Sequence, residues 1–257
     1  MILAIDVGNT HIVLGCLEGN QVKKAVKIGT DRKKTAHEYA AQISQILMIE
    51  CIDFKAFEGT IISSVVPVVS ESLSRAVEIL TGSRPLVVGS GLDPGLALDM
   101  NGLTADKIAG DLLCTAVGAK EFYKLPAIIV DMGTAITLTV VSAEGVYLGG
   151  AIMPGAGTAL HGLVSSTTLL PEVAFEAPDR LIAKDTVNAM KSGIVYGSAG
   201  AVDGLLDKYL AILGPDTTII ATGGMGRMIA KHCRHHMTVD GRLLLKGLGI
   251  IWAKNQK

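Results

Sequence analysis

The sequence has no GxxxxGK[ST] run and no GxGxxG opening a helix after a strand, so P-loop and Rossmann modes of nucleotide binding are unsupported. Its four cysteines, Cys16, Cys51, Cys114 and Cys233, include no CxxC pair. Neither a zinc site nor a disulfide framework is therefore expected, and reduced thiols of a cytosolic protein fit better. A surplus of one charge is missing too. The formal net charge of -1 offers no diffuse attraction for nucleic acid or anionic lipid. The opening Met1-Ile2-Leu3-Ala4-Ile5 lacks a basic flank and is broken by Asp6, so export and membrane insertion are not expected. Aromatics are only 4% of the chain, and no residue class points to a sandwich or a coiled coil.

Against these gaps, 49% hydrophobic content with 18% charge supplies ample core and excludes disorder. The 30 glycines with few aromatics suit an α/β enzyme built on Val, Ile, Leu and Ala with many tight turns. Apolar runs over 2–7, 12–17 and from Val22, separated by Gly8-Asn9-Thr10 and Glu18-Gly19-Asn20, predict a three-strand meander. Thr35-Ala36-His37-Glu38 is a capping-box signature, and Tyr39, Ile43, Ile46 and Leu47 follow at helical spacing. A strand over Thr60–Val65, a helix near 70–80, a strand over 85–88 and a helix from about Thr104 to Tyr123 complete the first half.

The second half starts the same way. Ala127-Ile128-Ile129-Val130-Asp131-Met132-Gly133 echoes Leu3-Ala4-Ile5-Asp6-Val7-Gly8, and strands over 137–141 and 146–152 repeat the meander. The chain reads as a duplicated α/β unit, with lobes over 1–120 and 121–257. Two strand-Asp-x-Gly turns at equivalent places can grip one polyphosphate from both sides of a cleft. Gly8 lets the backbone approach an anion, turn amides can face phosphate oxygens, and Asp6 can hold Mg²⁺ directly or through water. A third turn, Gly223-Gly224-Met225-Gly226 after the strand 217–222, can let an adenine or ribose lie against backbone, with a helix N-terminus following. His232, His235 and His236 read as a solvated surface, because no ligand-spaced Cys or carboxylate accompanies them.

Asp6-Val7-Gly8-Asn9-Thr10, Asp131-Met132-Gly133-Thr134-Ala135 and Ala221-Thr222-Gly223-Gly224 resemble the two phosphate motifs and the adenosine motif of the acetate and sugar kinase, Hsc70 and actin superfamily. Within it the chain is most similar to the type III pantothenate kinases. Thr30-Asp31-Arg32, Ile62-Ser63-Ser64-Val65-Val66-Pro67, Leu148-Gly149-Gly150-Ala151-Ile152-Met153-Pro154-Gly155, Leu169-Leu170-Pro171, the run 186–193 and Val202-Asp203-Gly204 extend the likeness.

The resemblance implies two ribonuclease-H-like (actin-like ATPase) lobes with a nucleotide cleft between them. It implies ATP and Mg²⁺ at Asp6, Val7, Gly8, Asn9, Thr10, His11, Ile12 and Val13, with Thr134, Gly223 and Gly224 also meeting ATP. Asp131 would hold a monovalent cation, K⁺ or NH₄⁺, and Thr186 would touch pantothenate. The family's catalytic Asp lies in Gly-Ala-Asp-Arg, whose counterpart is Thr104-Ala105-Asp106-Lys107, so Asp106 is the expected base. Asp111 is read as an ordinary helix-surface carboxylate. Lys in place of Arg exchanges a bidentate grip on the substrate carboxylate for a point charge. The implied activity is phosphorylation of pantothenate by a homodimer whose substrate pocket the partner completes. The alternatives are a non-catalytic nucleotide-binding regulator and a kinase of another small hydroxy acid.

Overall fold

The computed structural model describes residues 1–89, 91–98, 104 and 107–256. Two compact units emerge, one from Met1–Glu121 with Arg242–Lys257 and the other from Phe122–Gly241. Residues 242–257, expected in the second lobe, return to the first unit.

The first unit contains β1 (Ile2–Val7), β2 (His11–Glu18), β3 (Gln21–Gly29), α1 (Ala36–Ile49), β4 (Gly59–Ser64), α2 (Pro67–Thr81), β5 (Leu86–Val87), β6 (Ala97–Leu98) and α3 (Gly110–Phe122). Its sheet runs β3-β2-β1-β4-β5, with the meander antiparallel and β4 and β5 parallel to β1. One face packs Leu3, Ile5, Val7, Ile12 and Leu14 against Tyr39, Ile43 and Leu47 of α1 and Val69 and Leu73 of α2. Burying each such side chain contributes about 1.5–3 kcal/mol. The α1 start has its full capping box, Thr35 accepting from Glu38 N and Glu38 reaching back to Thr35 N at 2.8 Å, an arrangement worth about 1 kcal/mol.

The second unit holds β7 (Ala127–Met132), β8 (Ala135–Val141), β9 (Val146–Pro154), α4 (Ala156–Ser165), α5 (Thr186–Leu213), β10 (Thr218–Thr222), α6 (Gly226–Ala230) and β11 (Thr238–Val239). Its strands run β9-β8-β7-β10-β11, antiparallel through the meander and parallel beyond β7. Strand for strand, this is the order of the first unit. Ile128, Val130, Met132, Ile136 and Leu138 pack against Ala199, Val202 and Leu206 of α5. The two sheets are the duplicated ribonuclease-H-like lobes of the actin-like ATPase fold.

The last helix, α7 (Leu243–Lys254), lies against β1 and β4 of the first unit. It crosses α3 through glycines. A β-carbon on Gly118 would stand 2.7 Å from the Leu243 carbonyl oxygen, and one on Gly247 would overlap the Cys114 backbone. Only side chains without a β-carbon permit that approach. The helix expected from Thr104 starts later, at Gly110: Lys107 N closes a separate turn on Thr104 O at 2.9 Å, and Leu113 N bonds Ala109 O at 3.1 Å as α3 opens. No helix among the described residues is long and apolar enough to cross a membrane.

Candidate nucleotide and phosphate site

The alternation along β1 sends Leu3, Ile5 and Val7 into the α1/α2 core and turns Asp6 to the opposite face. There Asp6 stands in register with Ser63 of β4 and Val13 of β2. Ser63 is fully buried and its Oγ has no full hydrogen-bond partner among the described residues, the adjacent Cys114 thiol being a weak one. The turn after Asp6 closes with Gly8 N donating to His11 O at 2.9 Å. Thr30 braces it, its Oγ1 donating to Gly8 O at 2.7 Å and its N to Thr10 O at 3.0 Å.

The expected phosphate run of residues 6–13 therefore divides. Val7 and Ile12 are fully buried core side chains, so only their backbone is available, and the Gly8 amide is committed within the turn. Asn9, Thr10 and His11 are exposed.

In the second unit the same alternation puts Asp131 opposite the α5 core, in register with Thr137 of β8 and Thr222 of β10. Thr137 Oγ1 is buried with no hydrogen-bond partner among the described residues. Each turn aspartate is thus in register with a buried hydroxyl lacking a full partner. Gly133 N closes the turn on Ala135 O at 2.9 Å. Thr134 is exposed, and its carbonyl accepts from Thr158 Oγ1 at 2.6 Å and from Gly155 N at 3.0 Å, so the start of α4 clamps the turn.

Gly223 sits at φ +84°, where an L side chain is strained, and it presses on Asp131 Oδ1 and the Met132 backbone. Met225 N donates to Met132 O at 2.9 Å. The third turn is therefore stitched directly to the second, and Gly224 is the exposed glycine of the pair. The helix N-terminus expected to follow this turn belongs to α6. With 5 residues, α6 is a single turn and supplies little dipole.

Of the substrate-side residues, Thr104 and Lys107 are exposed, and Ala105 and Asp106 lie outside the described residues. Thr186 is exposed in the first turn of α5, which Asp185 caps by accepting from Asn188 N at 2.9 Å. Asp111 corrects the sequence reading: it is half-buried in the first turn of α3, and desolvation pushes its carboxyl above the usual range, partly offset by the Leu112 amide at 2.8 Å. The sequence carries a signal for this: positions 112–119 hold no charged residue, and a helix apolar all round has no solvent face, in keeping with the burial of 113–119. The Cys114 thiol is pushed well up by burial first, then by the charges of Asp6 and Asp111. The first turn of α3 is thereby brought to the Asp6 end of the sheet.

The histidines of positions 232–236 form a separate group in the second unit. His235 Nε2 contacts Asp207 Oδ1 at 2.7 Å, and buried Asp203 accepts from the Arg234 and His235 amides. Among the described residues no three potential metal-binding side chains cluster. A cavity of about 510 Å³ lined by Arg227, Lys231, Arg234, His235 and His236, among others, contains none of the motif residues.

Carboxylates and hydroxyls at strand ends beside glycine turns form a hard oxygen donor set suited to Mg²⁺ or an alkali cation with a polyphosphate. A family model for type III pantothenate kinase matches residues 2–208. A type III pantothenate kinase of Moorella thermoacetica is 38% identical over 255 residues, covering 99% of this chain and 100% of the relative. One from Koribacter versatilis is 36% identical, covering 100% and 96%. Among solved structures, (R)-2-hydroxyglutaryl-CoA dehydratase component A of Acidaminococcus fermentans superposes with a TM-score of 0.57 at 14% identity, covering 98% of this chain and 96% of that one. That likeness shows the fold alone. Paired aspartate turns on duplicated sheets, together with full-length relatives of one kind, make this chain a member of the type III pantothenate kinase family.

Proposed function

We infer that the protein transfers the γ-phosphoryl group of ATP to the primary hydroxyl of pantothenate, giving 4′-phosphopantothenate, the first step of coenzyme A synthesis. The observation that carries this reading is the equivalence of Asp6 and Asp131, each ending the central strand of a like-ordered sheet in a family-matched chain. Such transfer needs little covalent chemistry from the protein; it needs positioning and charge neutralisation.

Asp6 would hold Mg²⁺, directly or through water, with the Ser63 hydroxyl on the same face. Asp131 would hold the monovalent cation, with Thr137 beside it. These ions, when bound, would neutralise phosphate charge. Asn9, Thr10 and Thr134 are exposed and would meet phosphate, and Gly224 the nucleoside. Asp106 would take the proton as the acceptor oxygen bonds to phosphorus and the β–γ bridging oxygen departs. Lys107, exposed, would meet the substrate carboxylate and Thr186 the rest of pantothenate. A homodimer is supported by apolar side chains left exposed ahead of Thr186, with Leu169 91% and Ile182 86% exposed.

Coupled ADP release across a panel of hydroxy acids tests the reading. Turnover on pantothenate above all other acceptors is expected. Preference for another hydroxy acid would change the substrate, and nucleotide binding without turnover on any would favour a regulator.

A further inference from the structure

The first phosphate turn contains no basic residue of its own, yet a guanidinium stands on it. Arg32 Nη2 donates to Asn9 Oδ1 at 3.0 Å. The backbone carrying Arg32 is pinned on both sides. Before it, Thr30 bonds Gly8 O and Thr10 O of the turn itself. Beside it, Asp31 N donates to the Tyr39 hydroxyl at 3.0 Å and Asp31 O accepts from that hydroxyl at 2.7 Å, Tyr39 being fully buried in the α1 core. Asp31 Oδ1 then accepts from Lys33 N at 2.8 Å, closing a tight turn, and the capped start of α1 follows. The 30–33 bridge is thus held between the β1–β2 turn and a rigid helix.

A guanidinium has five N–H donors, and Asn9 takes one. Arg32 is exposed, and among the described residues no carboxylate pairs with it. The members of the mixed-charge cluster Asp31-Arg32-Lys33-Lys34 do different work. Asp31 builds the loop and Lys34 bonds Gln42 at 2.7 Å over the Tyr39 ring. Of these members, Arg32 bonds the phosphate turn, at Asn9 Oδ1.

We propose that Arg32 is a phosphate-contact residue of the nucleotide site, its guanidinium parked on Asn9 and turned to the terminal phosphates of bound ATP. Arginine suits this role because its planar fork can bond two phosphate oxygens at once and stays protonated throughout. The assignment rests on the kinase reading for its catalytic consequence, but its binding consequence does not need an acceptor.

Arg32→Gln separates charge from scaffold, because a glutamine amide can still donate to Asn9 Oδ1. Calorimetry with a non-hydrolysable ATP analogue and Mg²⁺ should show about tenfold weaker binding for R32Q, with a shallower salt dependence. In turnover, kcat/KM for ATP should fall about tenfold or more while KM for pantothenate and the melting temperature stay at wild-type values. Arg32→Lys should recover part of the loss. Binding and kcat/KM within about twofold of wild type in R32Q would overturn the assignment. So would equal losses in R32K and R32Q accompanied by a lowered melting temperature, which would make Arg32 a brace only. Arg32-dependent analogue binding by a protein that phosphorylates no acceptor would support the assignment while overturning the kinase reading.

Discussion

A β-carbon on Gly223 would collide with Asp131 Oδ1 and stand 2.7 Å from the Met132 backbone nitrogen. The glycine of the adenosine-type motif is therefore what lets the end of β10 close on the carboxylate of the second phosphate turn. One residue couples two motifs that are 92 positions apart by numbering, from 131 to 223.

Gly223→Ala should consequently damage both stability and nucleotide use. The positive φ and the overlap together cost about 2 kcal/mol or more. Thermal melting should place the variant well below wild type, while Gly224→Ala, at the exposed neighbour, should melt near wild type. Equal melting of the two variants would refute the contact.

Asp131 ends a buried-type strand in register with Thr137, whose hydroxyl is buried without a partner among the described residues. A bound alkali cation would accept donation from both oxygens. Turnover in potassium or ammonium buffer should exceed that in sodium-only buffer, and Asp131→Asn should lose the difference. Identical rates in all three buffers would remove the cation from Asp131.

Asp111 makes a pH prediction. Burial raises its folded-state carboxyl above the unfolded value, so its neutral form is favoured in the folded chain. Stability from this group is complete below the ordinary carboxylate range and is lost as pH rises through the raised value. Asp111→Asn, which can still accept from Leu112 N, should therefore melt higher than wild type near pH 7 and lose that advantage at about pH 4. The same advantage at both pH values would show that charge burial is not its cause.

Most of the fold was legible because its signals are local. Gly8-Asn9-Thr10 and Gly19 punctuate apolar runs, and the Thr35/Glu38 box marks α1 where it forms. What escaped depends on distant packing. Gly193, Gly197, Gly200 and Gly204 give α5 the composition of a loop, yet Val195, Ala199, Val202 and Leu206 bury a continuous stripe that holds it helical. Tertiary packing likewise made Asp111 a half-buried group. At the site, the Asp-x-Gly turns were readable from repetition, whereas the Gly223–Asp131 contact and the Arg32–Asn9 bond join segments whose closeness only the folded chain reveals.

The catalytic assignment rests on Asp106 in Thr104-Ala105-Asp106-Lys107. Asp106→Asn should reduce kcat about 10²-fold or more with analogue binding little changed, the scale of a lost general base. Near-normal turnover by a folded variant would require another base, and half-buried Asp111, near the same end of the sheet, would be the first to test.

Because α7 closes the first unit, synthesis order and folding order differ. The ribosome makes β1 to α3 first, then all of Phe122–Gly241, and only afterwards Leu243–Lys254. At ordinary translation speed the early sheet waits on the order of ten seconds for the helix that covers β1 and β4. During that interval the nascent chain presents an apolar surface to chaperones. A fusion or truncation that disturbs the final helix would accordingly injure the half of the molecule translated first, rather than the half to which it is attached.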